Sequence, residues 1–445
     1  MSSRRAALRQ LERIERDQAY IGQLDASDAG APLDARTRRQ VKEYVAGVTR
    51  WRRWLDFVLA AFYHGAFDEM ERPLQIILRI GLYDLLFLRT PTHAAVHENV
   101  ELAKQEVRPG AAGLVNGVLR TIDRQRDDLP TPDTGDPAED LAIRQSHPTW
   151  MVRRWMERYG AEATQELLAW NNRRPVHGVR INTLATSVAA FQTQLDAHDV
   201  AWTASPYLDD FVRVKGLQPI VEAGWMDAGQ CAVQDESAGL VVRVLDPHPG
   251  ETMVDTCAAP GGKTIYAALR MQGQGTIHAV DANEARLRLV TEGAAAHGVD
   301  GMVHPVGADL REWAGADNAP QADRVLLDAP CSGLGVLAKR ADLRWQRSPD
   351  DLDELTTLQD ELLDAAARLV RPGGLLVYST CTIEPEENQQ RVAAFRERNS
   401  RFALESVKGT VPDSTVTAEG VFTTLPHQHG VDGAFAARLR RTDGA

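Results

Sequence analysis

Hydrophobic positions in the first 126 residues recur at intervals of three and four. The pattern is clearest over 41–63, 73–88, 93–105 and 113–123, and residues 1–18 share it. This spacing places the apolar side chains on one face of each helix. The pattern therefore predicts an all-helical domain over residues 1–126.

The next two regions differ from this helical pattern. Residues 127–140, rich in Pro and Asp, show no apolar periodicity, which predicts a linker. Helices around 148–170 are then followed by a mixed pattern that runs to about residue 230. We expect a small connecting domain of helices and strands over residues 141–230.

In the last part of the chain, short apolar segments alternate with helical or turn segments. The five apolar segments are 252–258, 276–282, 302–309, 323–330 and 373–381. Strands that alternate with helices predict a mostly parallel, doubly wound α/β sheet. We assign this domain to residues 231–445, and residues 433–441 predict a final strand.

Composition excludes several classes of protein. No run of 18 apolar residues predicts a membrane span, and the first residues lack the apolar core of a signal peptide, so we expect a cytosolic protein. The chain has four cysteines, too few for a disulfide framework. No CxxC or Cys/His cluster indicates a metal site, so none is expected.

The net charge of −12 argues against binding nucleic acid by bulk charge alone. The charge is uneven, however: residues 1–126 hold 20 Lys and Arg against 16 Asp and Glu, and 127–140 hold six acids and no base. Any RNA contact must therefore use local basic patches.

One such patch combines arginine and tryptophan side chains. Arg50, Arg52 and Arg53 interleave with Trp51 and Trp54, a pairing that can bind phosphates and stack bases. The alternative is a helix whose tryptophans are buried and whose arginines are solvated, and the two interpretations can coexist.

A glycine-rich turn follows the first strand of the predicted sheet. It runs Cys257, Ala258, Ala259, Pro260, Gly261, Gly262, Lys263, Thr264 and then opens a helix. Such turns let a ligand approach the backbone closely. A nucleotide-triphosphate loop would need glycine at position 257, where the chain has Cys257, so that interpretation fails on spacing.

Acidic residues stand at the ends of the next two strands. Asp281 is placed to accept from a ribose diol and Asp309 from an adenine amino group. Together with the turn after Asp255, they indicate a ligand that contains adenosine. The alternative is that these aspartates only cap the helices that follow.

Two cysteines follow the fourth and fifth strands. Cys331 lies in the sequence DAPCSGLG, which begins with Asp328, and Cys381 lies in STCT. Carboxyl ends of neighbouring parallel strands meet at one edge of a sheet, so both thiols should face one pocket. A thiolate that adds to carbon 6 of cytosine makes carbon 5 nucleophilic, and a carboxyl such as that of Asp328 could favour this addition at N3.

These segments carry a resemblance to a known family. AAPGGK, DAPCSGLG, YSTCT and PEEN together resemble the RNA 5-methylcytosine methyltransferases of the Sun/NOL1/NOP2 family. The resemblance implies S-adenosylmethionine as cofactor, Cys381 as nucleophile and Cys331 as an aid to product release. It also implies that residues 257–263, Asp281, Asp309 and Asp328 line the cofactor site. The chemistry alone leaves the choice between the two cysteines open.

The N-terminal region carries a second resemblance. Residues 79–104 and 113–122 resemble the NusB-type helical RNA-binding domain, which bacterial 16S rRNA methyltransferases fuse to this catalytic domain. The implied fold is a Rossmann-like methyltransferase domain preceded by a NusB-like domain. The implied substrate is 16S rRNA, free or in early assembly, with no DNA or membrane partner, and we expect a monomer.

The same sequence offers alternative functions and further candidate residues. One alternative is methylation of another RNA, at a different rRNA site or in tRNA. The other is a non-catalytic RNA-binding assembly factor, which would not need two cysteines at the same sheet edge. A DNA or small-molecule methyltransferase would not explain the 230 residues before the catalytic domain. Weaker candidates for RNA contact or for helix starts and loops are Arg344, Trp345, Arg180, Asn182, Glu386, Glu387, Asn388, His427 and His429.

Overall fold

The computed structural model describes residues 2–17, 33–88 and 90–442. The predictions for residues 1, 18–32, 89 and 443–445 lie outside this range. The chain divides into two compact units. The first consists of Met1–Arg173 and Leu337–Arg347, and the second of Arg174–Val336 and Ser348–Ala445.

The first unit is helical, as predicted for residues 1–126. Its helices before residue 174 are α1 (Ser3–Asp17), α2 (Ala35–Phe62), α3 (Arg72–Leu86), α4 (Thr92–Glu106), α5 (Ala111–Arg124), α6 (Pro137–Arg144), α7 (Thr149–Tyr159) and α8 (Ala161–Asn171), with a 3₁₀ turn at Phe67–Glu69. The periodic apolar residues of α1–α5 form one core, which includes Leu11, Val48, Leu55, Leu82 and Leu119. This core is the reason for the three- and four-residue spacing in the sequence.

The predicted linker, 127–140, ends in a helix. Helix α6 begins at Pro137, and the Asp136 carboxylate caps it by accepting from the backbone N–H of Ala138 at 3.0 Å. Proline at the first helical position and aspartate at the N-cap are helix-start signals, and here they gave the segment its linker-like composition. Helices α6–α8 belong to the first unit.

A small antiparallel sheet opens the second unit. Its elements are β1 (His177–Ile181), α9 (Val188–Ala197), β2 (Trp202–Ala204), β3 (Phe211–Val214), α10 (Gln218–Glu222) and β4 (Cys231–Val233), with strand order β2-β3-β1-β4. Strand β4 lies just beyond the predicted boundary at 230 because it pairs with β1, Ile181 opposite Cys231.

The large sheet follows with its helices. They are α11 (Glu236–Leu245), β5 (Thr252–Asp255), α12 (Gly262–Arg270), β6 (Thr276–Asp281), α13 (Glu284–Ala296), β7 (Val303–Gly307), α14 (Leu310–Trp313), β8 (Ala322–Asp328), α15 (Leu343–Gln346), α16 (Asp350–Arg368), β9 (Val370–Thr380), α17 (Gln389–Arg398), β10 (Phe402–Glu405), β11 (Phe422–Thr424), α18 (Pro426–His429) and β12 (Ala434–Arg441). A 3₁₀ turn spans Asp413–Thr415. Helix α15 belongs to the first unit.

The strand order is β10-β12-β9-β8-β5-β6-β7, with β11 against β12. The five central strands, β7, β6, β5, β8 and β9, run parallel, and β12 runs antiparallel to β9. This confirms the predicted doubly wound sheet. The carboxyl ends of β5, β8 and β9 lie side by side at one edge, which is where such sheets bind ligands. Among residues 2–17, 33–88 and 90–442, no helix is long and apolar enough to span a membrane.

Candidate active site

The turn after β5 is shaped by Gly261. This residue has φ +104°, which side-chain-bearing residues rarely adopt, and an added Cβ would lie 3.1 Å from the Val290 Cα. Only glycine fits there without strain. The turn therefore presents bare backbone at the start of α12, as a closely approaching ligand requires.

Asp281 and Arg286 hold the middle of this turn. The Asp281 carboxylate accepts from the backbone N–H groups of Ala259, at 3.0 Å, and Asn283, at 2.9 Å. The Arg286 guanidinium donates to the Ala259 carbonyl at 2.7 Å. The tip of β6 and the start of α13 thus fix the backbone over residues 258–260. The ribose contact predicted for Asp281 stays a prediction.

Asp309 has a local partner. It lies two residues beyond β7, caps α14 by accepting from the backbone N–H of Arg311 at 2.9 Å, and pairs with the Arg311 guanidinium at 2.6 Å. The helix-capping alternative therefore describes this residue in the structure. Its adenine contact stays a prediction.

Asp255 lies under the turn, almost fully buried. One carboxylate oxygen accepts from the Thr264 hydroxyl at 2.7 Å, and the other has no partner within the described residues. Burial raises the pKa of Asp255 to about 7. Burial also raises the pKa of the Cys257 thiol, which makes it a poor nucleophile.

The ammonium of Lys263 links the turn to β8. It donates to Asp328 at 2.6 Å, and the Ser379 hydroxyl donates to the other Asp328 oxygen at 2.9 Å. Burial opposes the charge on Lys263, but the Asp328 carboxylate outweighs it, and the pKa of Lys263 is raised. The proton of this pair therefore resides on Lys263, and Asp328 acts as an acceptor.

The two cysteines lie side by side. The Cys331 and Cys381 sulfur atoms are 3.4 Å apart, although 50 residues separate them in the chain. Gly335 packs against the turn at Cys381, donating its N–H to the Cys381 carbonyl at 3.1 Å, and an added Cβ would lie 2.8 Å from that oxygen. The absence of a side chain at 335 therefore allows the two loops to approach.

The environment distinguishes the two thiols. The hydrogen bond from Cys331 lowers the pKa of Cys381, against burial and the Asp328 charge, with further help from Lys263. The same hydrogen bond, together with burial, raises the pKa of Cys331 well above its usual value. Cys381 is therefore the thiol that ionises first, and Cys331 is its hydrogen-bond donor.

Helix α17 begins at Gln389 with Asn388 at its N-cap position, so Asn388 stands at the helix start while Glu386 and Glu387 precede it. Glu387 is fully buried and accepts from the Ser332 N–H at 2.8 Å and the Ser332 hydroxyl at 2.5 Å. Asn388 holds the turn after Cys381 by donating to the Thr382 carbonyl at 3.0 Å. The sequence did not predict that Glu387 would be a buried acceptor between the loops of Cys331 and Cys381. The only signal was the pair of adjacent acids, Glu386 and Glu387, soon after Cys381.

Arg180 and Asn182 are interior residues of the second unit. Arg180 is 1% exposed and donates to the Gly262 carbonyl at 2.7 Å and to Gln234 at 2.6 Å, and burial lowers its pKa to about 10. Asn182 donates to the Gly229 carbonyl at 2.8 Å. Arg180 therefore supports the cofactor turn from the small sheet, a role that the RNA-contact interpretation overlooked.

Arg50, Arg52 and Arg53 of α2 make contacts within the first unit. Arg50 donates to the Ala338 carbonyl at 2.9 Å, and Arg53 donates to the His147 carbonyl and the Thr149 hydroxyl, both at 2.8 Å. Arg52 lies 4.3 Å from the centre of the Trp345 ring. Trp51 and Trp54 are half-buried against the helical core. Neither the RNA-binding interpretation nor the interpretation with solvated arginines predicted these internal contacts.

Arg344 is also an interior residue. It is fully buried and donates to the carbonyls of Ser146 and Asn171, each at 3.1 Å, and to the Asn172 side chain at 2.9 Å. The Trp345 indole donates to the Thr49 carbonyl at 2.6 Å. The expectation that these two residues touch RNA is wrong for Arg344, which has no exposed surface. His427 and His429 lie in the single turn of α18 rather than in a loop.

Comparison with protein families gives three matches in chain order. Residues 1–124 match the NusB family, 147–220 match the ferredoxin-like domain of the RsmF/B-like methyltransferases, and 242–440 match the 16S rRNA methyltransferase RsmB/F family. A relative from Bacillus subtilis, named probable ribosomal RNA small subunit methyltransferase B, is 34% identical over 99% of both chains. The chain belongs to the RsmB/F family of 16S rRNA methyltransferases.

Other similar proteins agree with this assignment. Ribosomal RNA small subunit methyltransferase B of Yersinia pseudotuberculosis is 34% identical over 92% of this chain and 91% of its own. Among solved structures, PH0851 superposes with a TM-score of 0.83 at 28% identity, over 99% of this chain and 98% of its own. A methyltransferase homologue from Pyrococcus horikoshii has a TM-score of 0.60 at 28% identity, over 69% of this chain and 99% of its own.

The family membership confirms the coarse predictions. The protein is an rRNA methyltransferase that uses S-adenosylmethionine, built from a NusB-like domain, a ferredoxin-like domain and a Rossmann-like methyltransferase domain. Two features fit a bound cofactor that contains adenosine. One is the glycine turn at 261 and 262, and the other is the buried Asp255 oxygen, which has no partner within the described residues.

Proposed function

We propose that this methyltransferase acts on carbon 5 of a cytosine in 16S rRNA, with Cys381 as the covalent nucleophile. The observation that carries the proposal is the pair of sulfur atoms 3.4 Å apart, of which Cys381 has the lowered pKa. A simple methyl transfer to an RNA nitrogen or oxygen needs no such pair. The resemblance to the Sun/NOL1/NOP2 family supports the same assignment.

The first step is addition of the Cys381 thiolate to carbon 6 of the ring. The new C6–S bond takes the place of the ring C5=C6 double bond, whose electrons make carbon 5 nucleophilic. Cys331 contributes its S–H hydrogen bond to the thiolate before addition. This donor stabilises the anion and lowers the pH at which Cys381 is ready to react.

Lys263 and Asp328 are placed to polarise the ring. The Lys263 ammonium is a donor for the carbonyl oxygen O2 or for N3, on which negative charge builds as sulfur adds. The Asp328 carboxylate is an acceptor for the exocyclic amino group of cytosine. We therefore transfer the N3 donor role, which the sequence suggested for Asp328, to Lys263.

When bound, the cofactor supplies a methyl group on a sulfonium, which is an electrophile for carbon 5. The turn 257–263 and Asp281 are the residues that would hold it, with Arg286 and Arg180 supporting their backbone. Loss of the carbon 5 proton to a base then restores the C5=C6 double bond and expels the Cys381 thiolate. Cys331 donates to the departing sulfur, in keeping with a role in release.

Methylation of in vitro transcribed 16S rRNA tests the proposal. We expect the wild-type protein to produce 5-methylcytosine at one position, found by bisulfite sequencing, and Cys381→Ala to reduce turnover by at least about 10⁴-fold, as loss of a nucleophile does. Cys331→Ala should instead accumulate an RNA–protein complex that survives denaturing gels.

Cys231→Ala is the matched control, because Cys231 is buried in the small sheet and burial raises the pKa of its thiol to about 12. It should retain wild-type turnover. Normal turnover in Cys381→Ala, or methylation at a purine, would overturn the proposal. The same assay can compare the 16S rRNA transcript, an early assembly intermediate and the complete subunit. We propose that the protein methylates the free transcript and the early intermediate. We also propose that it acts in the cytosol and as a monomer.

A further inference from the structure

Glu387 is a buried carboxylate between the two cysteine loops. Its described partners are neutral groups: the Ser332 N–H and hydroxyl, and the Gln359 amide at 3.1 Å. A buried carboxylate that rests on neutral donors alone is costly, because no cation repays its desolvation. Such a group calls for a functional explanation.

The contacts of Glu387 reach both thiols through their next residues. Ser332 follows Cys331, and its one hydroxyl proton is donated to Glu387. The Ser332 hydroxyl also lies 2.8 Å from the hydroxyl of Thr382, the residue after Cys381, and Thr382 is a further hydrogen-bond partner of Glu387. Gln359 on α16 also donates to the Pro330 carbonyl at 2.9 Å. Glu387 thereby braces both loops.

The charged groups around the sulfur pair are distributed unequally. Those acting on Cys381 are Lys263 from α12, Asp328 at the end of β8 and Asp432 before β12. Glu387 acts on Cys331, and the Tyr378 hydroxyl of β9 lies near it and donates to the Glu387 carbonyl. Negative charge beside a thiol opposes its ionisation, and positive charge favours it.

We propose that Glu387 is a positioning residue that keeps the shared proton on Cys331, so that Cys381 is the thiolate. This inference rests on the proposed function, in which Cys381 is the nucleophile. When one of the two thiols is ionised, the remaining proton lies between sulfur atoms that are 3.4 Å apart. The Glu387 charge opposes a thiolate on Cys331. Beside Cys381, Lys263 favours a thiolate while Asp328 and Asp432 oppose it, so loss of the Glu387 charge should weaken the preference of the proton for Cys331.

Competitive alkylation tests this without RNA. The full-length protein is treated briefly with a limiting amount of iodoacetamide at pH 7, and the Cys381 and Cys331 peptides are quantified by mass spectrometry. We expect wild type to be labelled mainly on Cys381. In Glu387→Gln the ratio of Cys381 to Cys331 labelling should fall by about tenfold, the factor for one pKa unit.

Glu397→Gln is the matched control, because it removes the same charge from an exposed position on α17 and should keep the wild-type ratio. Glu387→Asp separates charge from shape, since it keeps the carboxylate on a shorter stem, and it also serves if Glu387→Gln does not fold. We expect Glu387→Asp to label mainly Cys381 even where its methylation is slowed.

An unchanged ratio in Glu387→Gln, or a loss of the Cys381 preference in Glu387→Asp, would overturn the inference and leave Glu387 as a brace only. Wild-type labelling mainly on Cys331 would do the same. The proposed function is scored separately, by methylation and by covalent capture at Cys381. It can therefore stand when the inference about Glu387 fails.

Discussion

At the residue scale, identical side chains acquire different chemistry from their surroundings. Four cysteines are present, and they range from Cys231, buried in a strand, to Cys381, whose pKa is lowered by the Cys331 thiol. Sequence motifs predicted that Cys331 and Cys381 would meet. They could not predict which thiol ionises, because that depends on Lys263, Asp328 and Glu387, which come from three separate parts of the chain.

Asp255 gives a pH-dependent prediction at this scale. Its pKa rises from 3.8 to about 7 on folding, so the folded protein binds this proton more tightly than the unfolded chain does. The contribution therefore favours folding below about pH 4 and is lost as the pH rises through 7. We expect the free energy of unfolding of wild type, relative to Asp255→Asn, to fall by roughly 2 kcal/mol between pH 5 and pH 8.

Urea unfolding at both pH values measures this difference. Asp300→Asn is the control, because Asp300 is an exposed carboxylate of the same domain and its removal should leave the pH dependence as it is in wild type. A wild-type stability that rises relative to Asp255→Asn over this interval would contradict the assignment.

At the element scale, the strands that carry the site were the most predictable part of the fold. Each of the strands β5, β6, β8 and β9 contains an apolar run that ends in turn-forming or polar residues. This pattern can be recognised in the sequence without knowing which strands pair with each other. β10 and β11 were missed because four and three residues are too few to establish an alternation. The start of α6 was missed because Asp136 and Pro137 occur equally in linkers.

The start of α12 offers a test of how an element positions the cofactor. In Gly261→Ala the new Cβ meets Val290 at 3.1 Å and the backbone is held at φ +104°. We expect the strain, about 1–2 kcal/mol, to weaken S-adenosylmethionine binding by about tenfold in calorimetric titrations. Gly117→Ala on α5, where an added Cβ meets nothing within 4 Å, should bind the cofactor normally. Equal affinities in the two variants would show that the turn does not position the cofactor.

At the scale of the whole molecule, buried charge was the feature that the sequence concealed. The sequence suggested RNA contacts for Arg344 and Arg180 and a helix start for Glu387, since charged side chains are seldom buried. Their partners lie 50 to 300 positions away, or belong to another element, and only the fold brings them together. The segment Leu337–Arg347, which follows the Cys331 loop, belongs to the helical unit, and Arg344 bonds it to the carbonyls of Ser146 and Asn171.

Arg344→Met tests how much the contacts of Arg344 contribute to the stability of the protein. The substitution keeps an unbranched stem but removes the guanidinium that donates to the carbonyls of Arg50, Ser146, Asn171 and Leu337. We expect the free energy of unfolding to fall by about 2–4 kcal/mol in urea titrations. Arg120→Met, at an exposed position on α5, should change it by less than about 0.5 kcal/mol. Similar stability in the two variants would mean that Arg344 is not an anchor.

Covalent capture measures the central claim most directly. RNA that contains 5-fluorocytosine cannot lose a proton from carbon 5, so an enzyme that attacks carbon 6 stays bound after methyl transfer. We expect the protein, incubated with this RNA and S-adenosylmethionine, to form a stable adduct whose mass-spectrometric fragments place the nucleotide on Cys381. An adduct on Cys331, or none while unmodified RNA is methylated, would contradict the account.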